Sequence, residues 1–182
     1  LRRVLGQQRL QRSAAGYAAV CDWLDVAALS DLADEAERRF AAGAFAAART
    51  AAGAALALVR GPFLAAESEA SWLAADRSAV DRAIARSQRI AARAALAAGE
   101  PLAAAELAEL ALARDAYDEA ALRTLMLALR ESGRPASALA AYARFAERLA
   151  EDLGADPDPE TSDLHAALLR GQALSDSCRP GA

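Results

Sequence analysis

Residues 98–104 read AGEPLAA and residues 132–138 read SGRPASA, and the two stretches are copies of one pattern. In each copy a glycine is followed by Pro two residues later and by Ala five residues later. The two glycines, Gly99 and Gly133, stand 34 residues apart, and each lies between stretches of apolar residues at helical spacing. Pro favours the first turn of a helix, and Gly the position just after a helix end. The pattern therefore predicts helix–turn–helix units with a 34-residue period.

A period of this length is typical of tetratricopeptide (TPR)-type helix pairs, which stack because one hairpin cannot bury its apolar face alone. Gly43 with Ala48 repeats the Gly-to-Ala spacing 56 residues before Gly99, which leaves room for a 22-residue insert. We predict an all-α, TPR-like antiparallel helical-hairpin solenoid with a short β-hairpin at its N-terminus. Such an architecture binds partners and does not run reactions.

Several local features refine this prediction. Residues 9–12 and 17–20 are expected to form the two strands of the β-hairpin. Trp72 follows a Gly-Pro loop and begins a helix, so we expect it to pack the insert against the solenoid. Acidic residues stand where three helices are predicted to begin, and they are assigned as N-caps: Asp25, Asp118 and Asp158.

Composition limits the function classes. The net charge is −4, which argues against uniform nucleic-acid binding across this sequence. Two cysteines, Cys21 and Cys178, do not make a disulfide framework in a chain of 182 residues. No apolar run approaches the ~20 residues that span a bilayer, so we expect a cytoplasmic protein without membrane contact. The sequence does not begin with Met, which indicates that it starts inside a longer protein.

No pattern in the sequence indicates catalysis. His165 is the single histidine, and no Cys or Ser nucleophile stands at a recognisable spacing from it. The carboxylates of residues 151–163 are interpreted as a solvated acidic end and as helix caps. Phosphate-binding glycine loops, CxxC and HExxH are absent from the sequence. We predict no catalytic residue, no metal site and no cofactor.

Residues 130–169 read RESGRPASALAAYARFAERLAEDLGADPDPETSDLHAALL. They resemble the end of the bacterial transcriptional activator domain of SARP/AfsR-type regulators, where the pattern is GR-x-x-x-AL-x-x-Y followed by L-x-E-x-LG-x-DP-x-PE-x-x-x-L. The matching positions are Gly133, Arg134, Ala138, Leu139, Tyr142, Leu149, Leu153, Gly154, Asp156, Pro157, Pro159 and Glu160. Residues 115–129 resemble the preceding helix, with Ala116 in place of the usual Pro. RGPFL at 60–64 with Trp72 matches the insert, so the likeness runs from Asp25 to Leu169.

The first residues resemble a different domain. LRRVLG at 1–6 and RLQRSAAGYAAV at 9–20 are similar to the close of an OmpR-type winged-helix DNA-binding domain, namely its recognition helix and its wing. The resemblance implies that arginines here contact DNA phosphates in the intact protein, namely Arg2, Arg3 and Arg12. The alternative is a truncated remnant that makes no such contact. The residues and the resemblance together predict three segments: a winged-helix remnant at 1–21, the activator domain at 22–170, and a disordered tail at 171–182.

Five arginines are predicted to line one concave surface, because stacked hairpins bring equivalent helix faces side by side. They are Arg86, Arg89, Arg93, Arg123 and Arg130. Guanidinium groups bind carboxylates in a bidentate manner, so the surface is interpreted as a groove for an acidic protein segment. On this view, charge reversal at Arg89 and Arg123 weakens partner binding and leaves the melting temperature unchanged. The alternative is that the arginines pair with local glutamates such as Glu131 or only solubilise an Ala-rich helix.

Together, the residues and the resemblance predict a transcriptional regulator. Its helical domain is expected to bind RNA polymerase or a regulatory partner or domain, while the upstream winged helix binds promoter DNA. A homodimer is an open possibility. The alternatives are a TPR-type interaction scaffold with no role in transcription and a helical accessory domain of an enzyme.

Overall fold

The computed structural model describes residues 10–13, 16–19, 21–67 and 70–171. The first elements in these ranges are two short strands, β1 (Leu10–Ser13) and β2 (Gly16–Ala19), which pair antiparallel with Leu10 opposite Ala19. The expected hairpin is therefore present, within one residue of the predicted bounds. The predicted recognition-helix end, with Arg2 and Arg3, and the tail from residue 172 lie outside the described residues.

Helices make up most of the chain after this hairpin. In the described ranges they are α1 (Asp25–Ala41), α2 (Phe45–Ala57), α3 (Ala74–Ala97), α4 (Pro101–Arg114), α5 (Glu119–Glu131), α6 (Pro135–Leu153) and α7 (Pro159–Leu169). The insert between α2 and α3 holds two short 3₁₀ turns, Ala65–Glu67 and Ser71–Leu73. Helices therefore flank Gly43, Gly99 and Gly133 on both sides, as the repeat predicts.

The helices stack as successive antiparallel hairpins. The pairs α1–α2, α3–α4 and α5–α6 each form one hairpin, and α2 packs on α3 as α4 packs on α5. The single helix α7 closes the stack against α5 and α6. The first helices of neighbouring hairpins also contact one another, so α1, α3, α5 and α7 form one continuous row, the inner face. The predicted TPR-like solenoid is confirmed.

Three glycines end the first helix of each hairpin in the same way. Their φ angles are positive, at 74° for Gly43, 77° for Gly99 and 75° for Gly133. In each turn the glycine N–H donates to the carbonyl three residues earlier, and the next N–H donates to the carbonyl five residues earlier. These bonds define a Schellman motif, which favours glycine because it needs a left-handed backbone. The three turns show that the sequence repeat is also a structural repeat.

The core between the helices is thin because many of its buried side chains are alanines. Fully buried alanines lie in α1 to α6: Ala36, Ala48, Ala52, Ala55, Ala94, Ala95, Ala104, Ala108, Ala128 and Ala138. Small side chains at helix contacts allow close approach of the backbones. Larger side chains fill the centre of the last hairpin, where Leu122 and Met126 are almost completely buried.

Two local predictions are wrong. Asp25 is the first residue of α1 rather than its N-cap, a position that Leu24 takes. Trp72 is 73% exposed and does not wedge the insert, because on its 3₁₀ turn the next residue, Leu73, faces the core. The insert is instead held to α3 by Arg77, whose guanidinium donates to the backbone carbonyl of Glu67.

Candidate functional site

The candidate site is the inner face, where the structure places the five predicted arginines. Arg86, Arg89 and Arg93 lie on α3, while Arg123 and Arg130 lie on α5, and all five are half-buried. Arg130 stands in the last turn of α5. The five arginines thus lie on neighbouring helices of one face. Which of them can bind a partner depends on the contacts that each one makes within the chain.

Arg89 holds a buried carboxylate at the start of the next inner helix. Its Nη1 donates to Oδ2 of Asp118 at 3.0 Å, and the Asp118 side chain is 7% exposed. The other carboxylate oxygen of Asp118 accepts the N–H of Ala121 at 2.9 Å. Asp118 is therefore the N-cap of α5, as predicted, and the same carboxylate joins α3 to α5.

Arg123 makes the equivalent contact one repeat later. Its Nη1 donates to Oδ2 of Asp158 at 2.9 Å, and Oδ1 of Asp158 accepts the N–H of Thr161 at 2.7 Å, as an N-cap of α7. The same Nη1 also donates to the Thr161 hydroxyl at 2.9 Å, and Nη2 lies 3.1 Å from Glu160. Arg89 and Arg123 stand 34 residues apart, so the repeat reproduces the contact as well as the fold. We call Arg89–Asp118 and Arg123–Asp158 the cap pairs.

The second cap pair is reinforced from α5. Both carboxylate oxygens of Glu119 accept the backbone N–H of Asp158, at 3.0 and 2.9 Å. Burial raises the pKa of Asp158, but hydrogen bonds from Thr161 and Arg123 outweigh it and leave the pKa below its ordinary value. Asp158 is therefore a stable anion at neutral pH, and it anchors α7 to α5.

Arg86 connects α3 back to α1. Its Nη2 lies 2.8 Å from Asp34, and its Nη1 donates to Glu37 at 3.4 Å. As in the cap pairs, the carboxylates come from a neighbouring helix rather than from adjacent positions on the same one. The alternative expected ion pairs with local glutamates. Ion pairs do form at Arg86, Arg89 and Arg123, but their carboxylates belong to a neighbouring helix or its cap.

Arg93 differs from these three arginines. Its guanidinium carbon lies 4.5 Å from the ring centroid of Phe40, which itself packs against Phe45 at 5.3 Å between centroids. Among the residues that the structure describes, Arg93 has no carboxylate within ion-pair distance. Burial lowers its pKa, and the nearby Arg123 and Arg89 lower it further, while Glu37 opposes them. Arginine remains charged at neutral pH in spite of such shifts.

The remaining candidate groups are the single histidine, the carboxylates and Arg12. His165 stacks on Tyr142, with ring centroids 3.8 Å apart and planes 5° from parallel. Over residues 10–13, 16–19, 21–67 and 70–171, His, Cys, Asp and Glu form no group of three or more that could hold a metal ion. In the same described ranges, no helix is both long enough and apolar enough to span a bilayer. Arg12 is exposed on β1.

The stack of antiparallel helical hairpins defines a TPR-like domain. The family described as "Bacterial transcriptional activator domain" matches residues 24–169, and the chain belongs to this family. The family consists of transcription-regulator domains rather than enzymes. The resemblance to SARP/AfsR-type regulators is thereby confirmed.

Two similar proteins support this assignment. The regulatory protein AfsR of Streptomyces griseus is 36% identical over 188 residues, which cover 93% of this chain and 18% of AfsR. A structure of Mycobacterium tuberculosis EmbR in complex with a low-affinity phosphopeptide has a TM-score of 0.89 and 28% identity. That match covers 98% of this chain and 50% of the EmbR chain. The chain therefore spans less than a fifth of AfsR and half of EmbR.

Proposed function

We propose that this chain is the activator part of a transcriptional regulator and that its helical domain binds RNA polymerase or a regulatory partner or domain. The observation that carries the proposal is the family match over residues 24–169, on a fold whose inner face presents charged groups from four helices. Promoter DNA is bound by an upstream winged helix, of which residues 1–21 are the remnant. The segment boundaries at 21 and 170 and the cytoplasmic location are part of the same proposal.

The mechanism requires binding alone. A DNA-bound module holds the helical domain near the promoter, which raises the effective concentration of the attached surface for its partner, to about millimolar values for a short flexible linker. No proton transfer, nucleophile, cofactor or metal takes part. Arg2, Arg3 and Arg12 would contribute phosphate contacts in the intact protein, and the exposure of Arg12 leaves it accessible for this role.

The partner-binding groove consists of Arg86, Arg89, Arg93, Arg123 and Arg130. Since Arg86, Arg89 and Arg123 are matched by carboxylates of the chain, they shape the groove more than they supply free charge. The rival function is a TPR-type scaffold without a role in transcription. Homodimerisation through the same surface is a further possible outcome, and the test below distinguishes it.

The test joins the chain to a heterologous DNA-binding domain and measures transcription from a promoter that carries the matching operator. We expect activation that depends on the fusion, together with retention of purified bacterial RNA polymerase on the immobilised chain. The chain without the DNA-binding domain is the control. If the fusion occupies the operator and transcription stays at the control level, with no polymerase retained, the scaffold is the better explanation. Sedimentation of the chain alone reports self-association.

A further inference from the structure

Arg93 lies on the inner face near the end of α3, and its cation has no carboxylate within ion-pair distance among the described residues. One face of its guanidinium is covered by Phe40, at 4.5 Å. A guanidinium that stacks on an aromatic ring keeps its N–H groups in the plane of the fork, directed away from the ring. The stacking therefore fixes the orientation of the donors and leaves them available for a planar, bidentate acceptor.

Carboxylates lie on both sides of this cation. Across the inner face, acidic groups lie on α1, arginines on α3 and α5 with Asp118 between them at the start of α5, and further acidic groups at the start of α7. The paired arginines Arg86, Arg89 and Arg123 are matched by five carboxylates, Asp34, Glu37, Asp118, Asp158 and Glu160. The face is therefore not basic as a whole, and a purely acidic segment would meet repulsion at both edges.

We propose that Arg93 binds one carboxylate side chain of a partner segment that crosses the inner face from α1 to α7 and carries basic residues toward both ends. The inference rests on the proposed function and identifies the chemistry of the partner. The outer carboxylates keep free surface for the basic residues, since the side chains of Asp34 and Glu160 are 47% and 67% exposed.

Two further considerations define the ligand. Neighbouring inner helices lie about 8–10 Å apart, so three steps from α1 to α7 span roughly 24–30 Å. An extended chain rises about 3.3 Å per residue, which corresponds to about eight or nine residues. A carboxylate suits the site better than a phosphate because one unpaired guanidinium balances one negative charge, whereas a phosphate monoester carries nearly two.

The experiment uses synthetic peptides of about nine residues with a Gly/Ser background. Lys, Ser or Glu occupies the first, central and last positions in every combination, and a further peptide carries phosphoserine at the centre. Affinity for the unmodified chain is measured by fluorescence anisotropy. We expect the peptide with Lys at both ends and Glu at the centre to bind most tightly. Replacing its central Glu by Ser should weaken binding about tenfold.

The variant R93Q removes the cation and should bind the Glu-centred and Ser-centred peptides equally. The matched control is R82Q, because Arg82 is an exposed arginine on the same helix. Circular dichroism checks that both variants fold. R93K keeps a cation but not the fork, so it should retain part of the preference, and it replaces R93Q if that variant unfolds.

Several results would overturn the inference. They are equal binding of Glu-centred and Ser-centred peptides by the unmodified chain, an unchanged preference in R93Q, or tighter binding of the phosphoserine peptide. The inference is also overturned if every peptide binds the unmodified chain no more tightly than it binds R93Q. If the R93Q fusion activates transcription as well as the unmodified fusion, this inference fails and the proposed function stands. If the unmodified fusion occupies the operator but neither activates transcription nor retains polymerase, the proposed function itself fails.

Discussion

The anchoring of α7 by Arg123 leads to a prediction that separates a structural role from a binding role. The sequence alone leads us to expect that charge reversal at Arg89 and Arg123 leaves the stability unchanged, because it treats both residues as exposed arginines of a groove. The observed contacts give the opposite expectation, because R123Q removes the guanidinium that joins α5 to the cap of α7. Asp158 and Thr161 then keep their own helix-cap bond but lose the bonds from Arg123, while Glu119 of α5 still accepts the N–H of Asp158.

The magnitude follows from the exposure of the partners. A hydrogen bond to a charged group contributes about 1.5–3 kcal/mol when buried, whereas an exposed ion pair contributes about 0–1 kcal/mol. The Arg123 and Asp158 side chains are 21% and 40% exposed, so the pair lies between these limits. Thr161 is completely buried, and the loss of its contact adds to the cost. We expect R123Q to lower the free energy of unfolding by about 1–2 kcal/mol, or roughly 3–6 °C in melting temperature.

The assay is thermal and urea unfolding followed by circular dichroism. R144Q is the matched control, because Arg144 lies exposed on α6 and makes no ion pair within the part of the chain that the structure describes. Its effect should stay within about 0.5 kcal/mol. The double variant of R123Q with D158N should lose less stability than the sum of the two single variants, since both remove the same contact.

Acid provides a second, independent measurement of the same contact. The pKa of Asp158 lies below its ordinary value in the folded state, so its contribution is complete above the unfolded-state pKa, near 4, and is lost as pH falls through the folded-state pKa. The stability difference between R123Q and the unmodified chain should therefore shrink below about pH 4. Equal stability of the two at neutral pH, or a difference that persists undiminished in acid, would refute this reasoning.

Two further predictions concern the helix turns and the tyrosine at position 117. G133A places a methyl group on a backbone with φ of 75° and should cost about 1–2 kcal/mol in urea unfolding, whereas G53A, at an exposed helical site with open space, should gain about 0.5–1 kcal/mol; effects of the same sign would contradict the role of the turn. The Tyr117 hydroxyl donates to Asp152 at 2.9 Å, and this hydrogen bond raises the pKa of Tyr117. D152A should lower the midpoint of its alkaline titration, followed by ultraviolet absorbance, and an unmoved midpoint would show that the bond does not form in solution.

The helical hairpins were predictable from the sequence because their signals are local. Apolar spacing, the glycines at 43, 99 and 133, and the caps at Asp118 and Asp158 all act within one turn of the helices they define. The errors at Asp25 and Trp72 have a different origin. At position 72 the neighbouring residue Leu73 packs into the core and leaves Trp72 exposed. At Asp25 the helix begins one residue earlier than predicted, with Leu24 at the N-cap position.

The candidate site was predictable only in part. The 34-residue period correctly placed Arg89 and Arg123 at equivalent positions, and the shared face followed from it. Their cap partners stand 29 and 35 residues further along the chain, at Asp118 and Asp158. The sequence therefore shows no constant spacing between the arginine and its aspartate. The two predicted N-caps, Asp118 and Asp158, each follow an inner helix that carries an arginine, and this was a signal for the pairing that could have been used.

The series of hairpins is encoded locally, since Gly, Pro and helical periodicity act on the backbone beside them. The state of each charge on the inner face, in contrast, depends on how the hairpins stack. Arg89 and Arg123 became helix anchors, while Arg93 came to rest on Phe40, 53 residues earlier in the chain. An ion pair depends on distance and burial, and only the stacking of one hairpin on the next sets these quantities for residues so far apart in the chain.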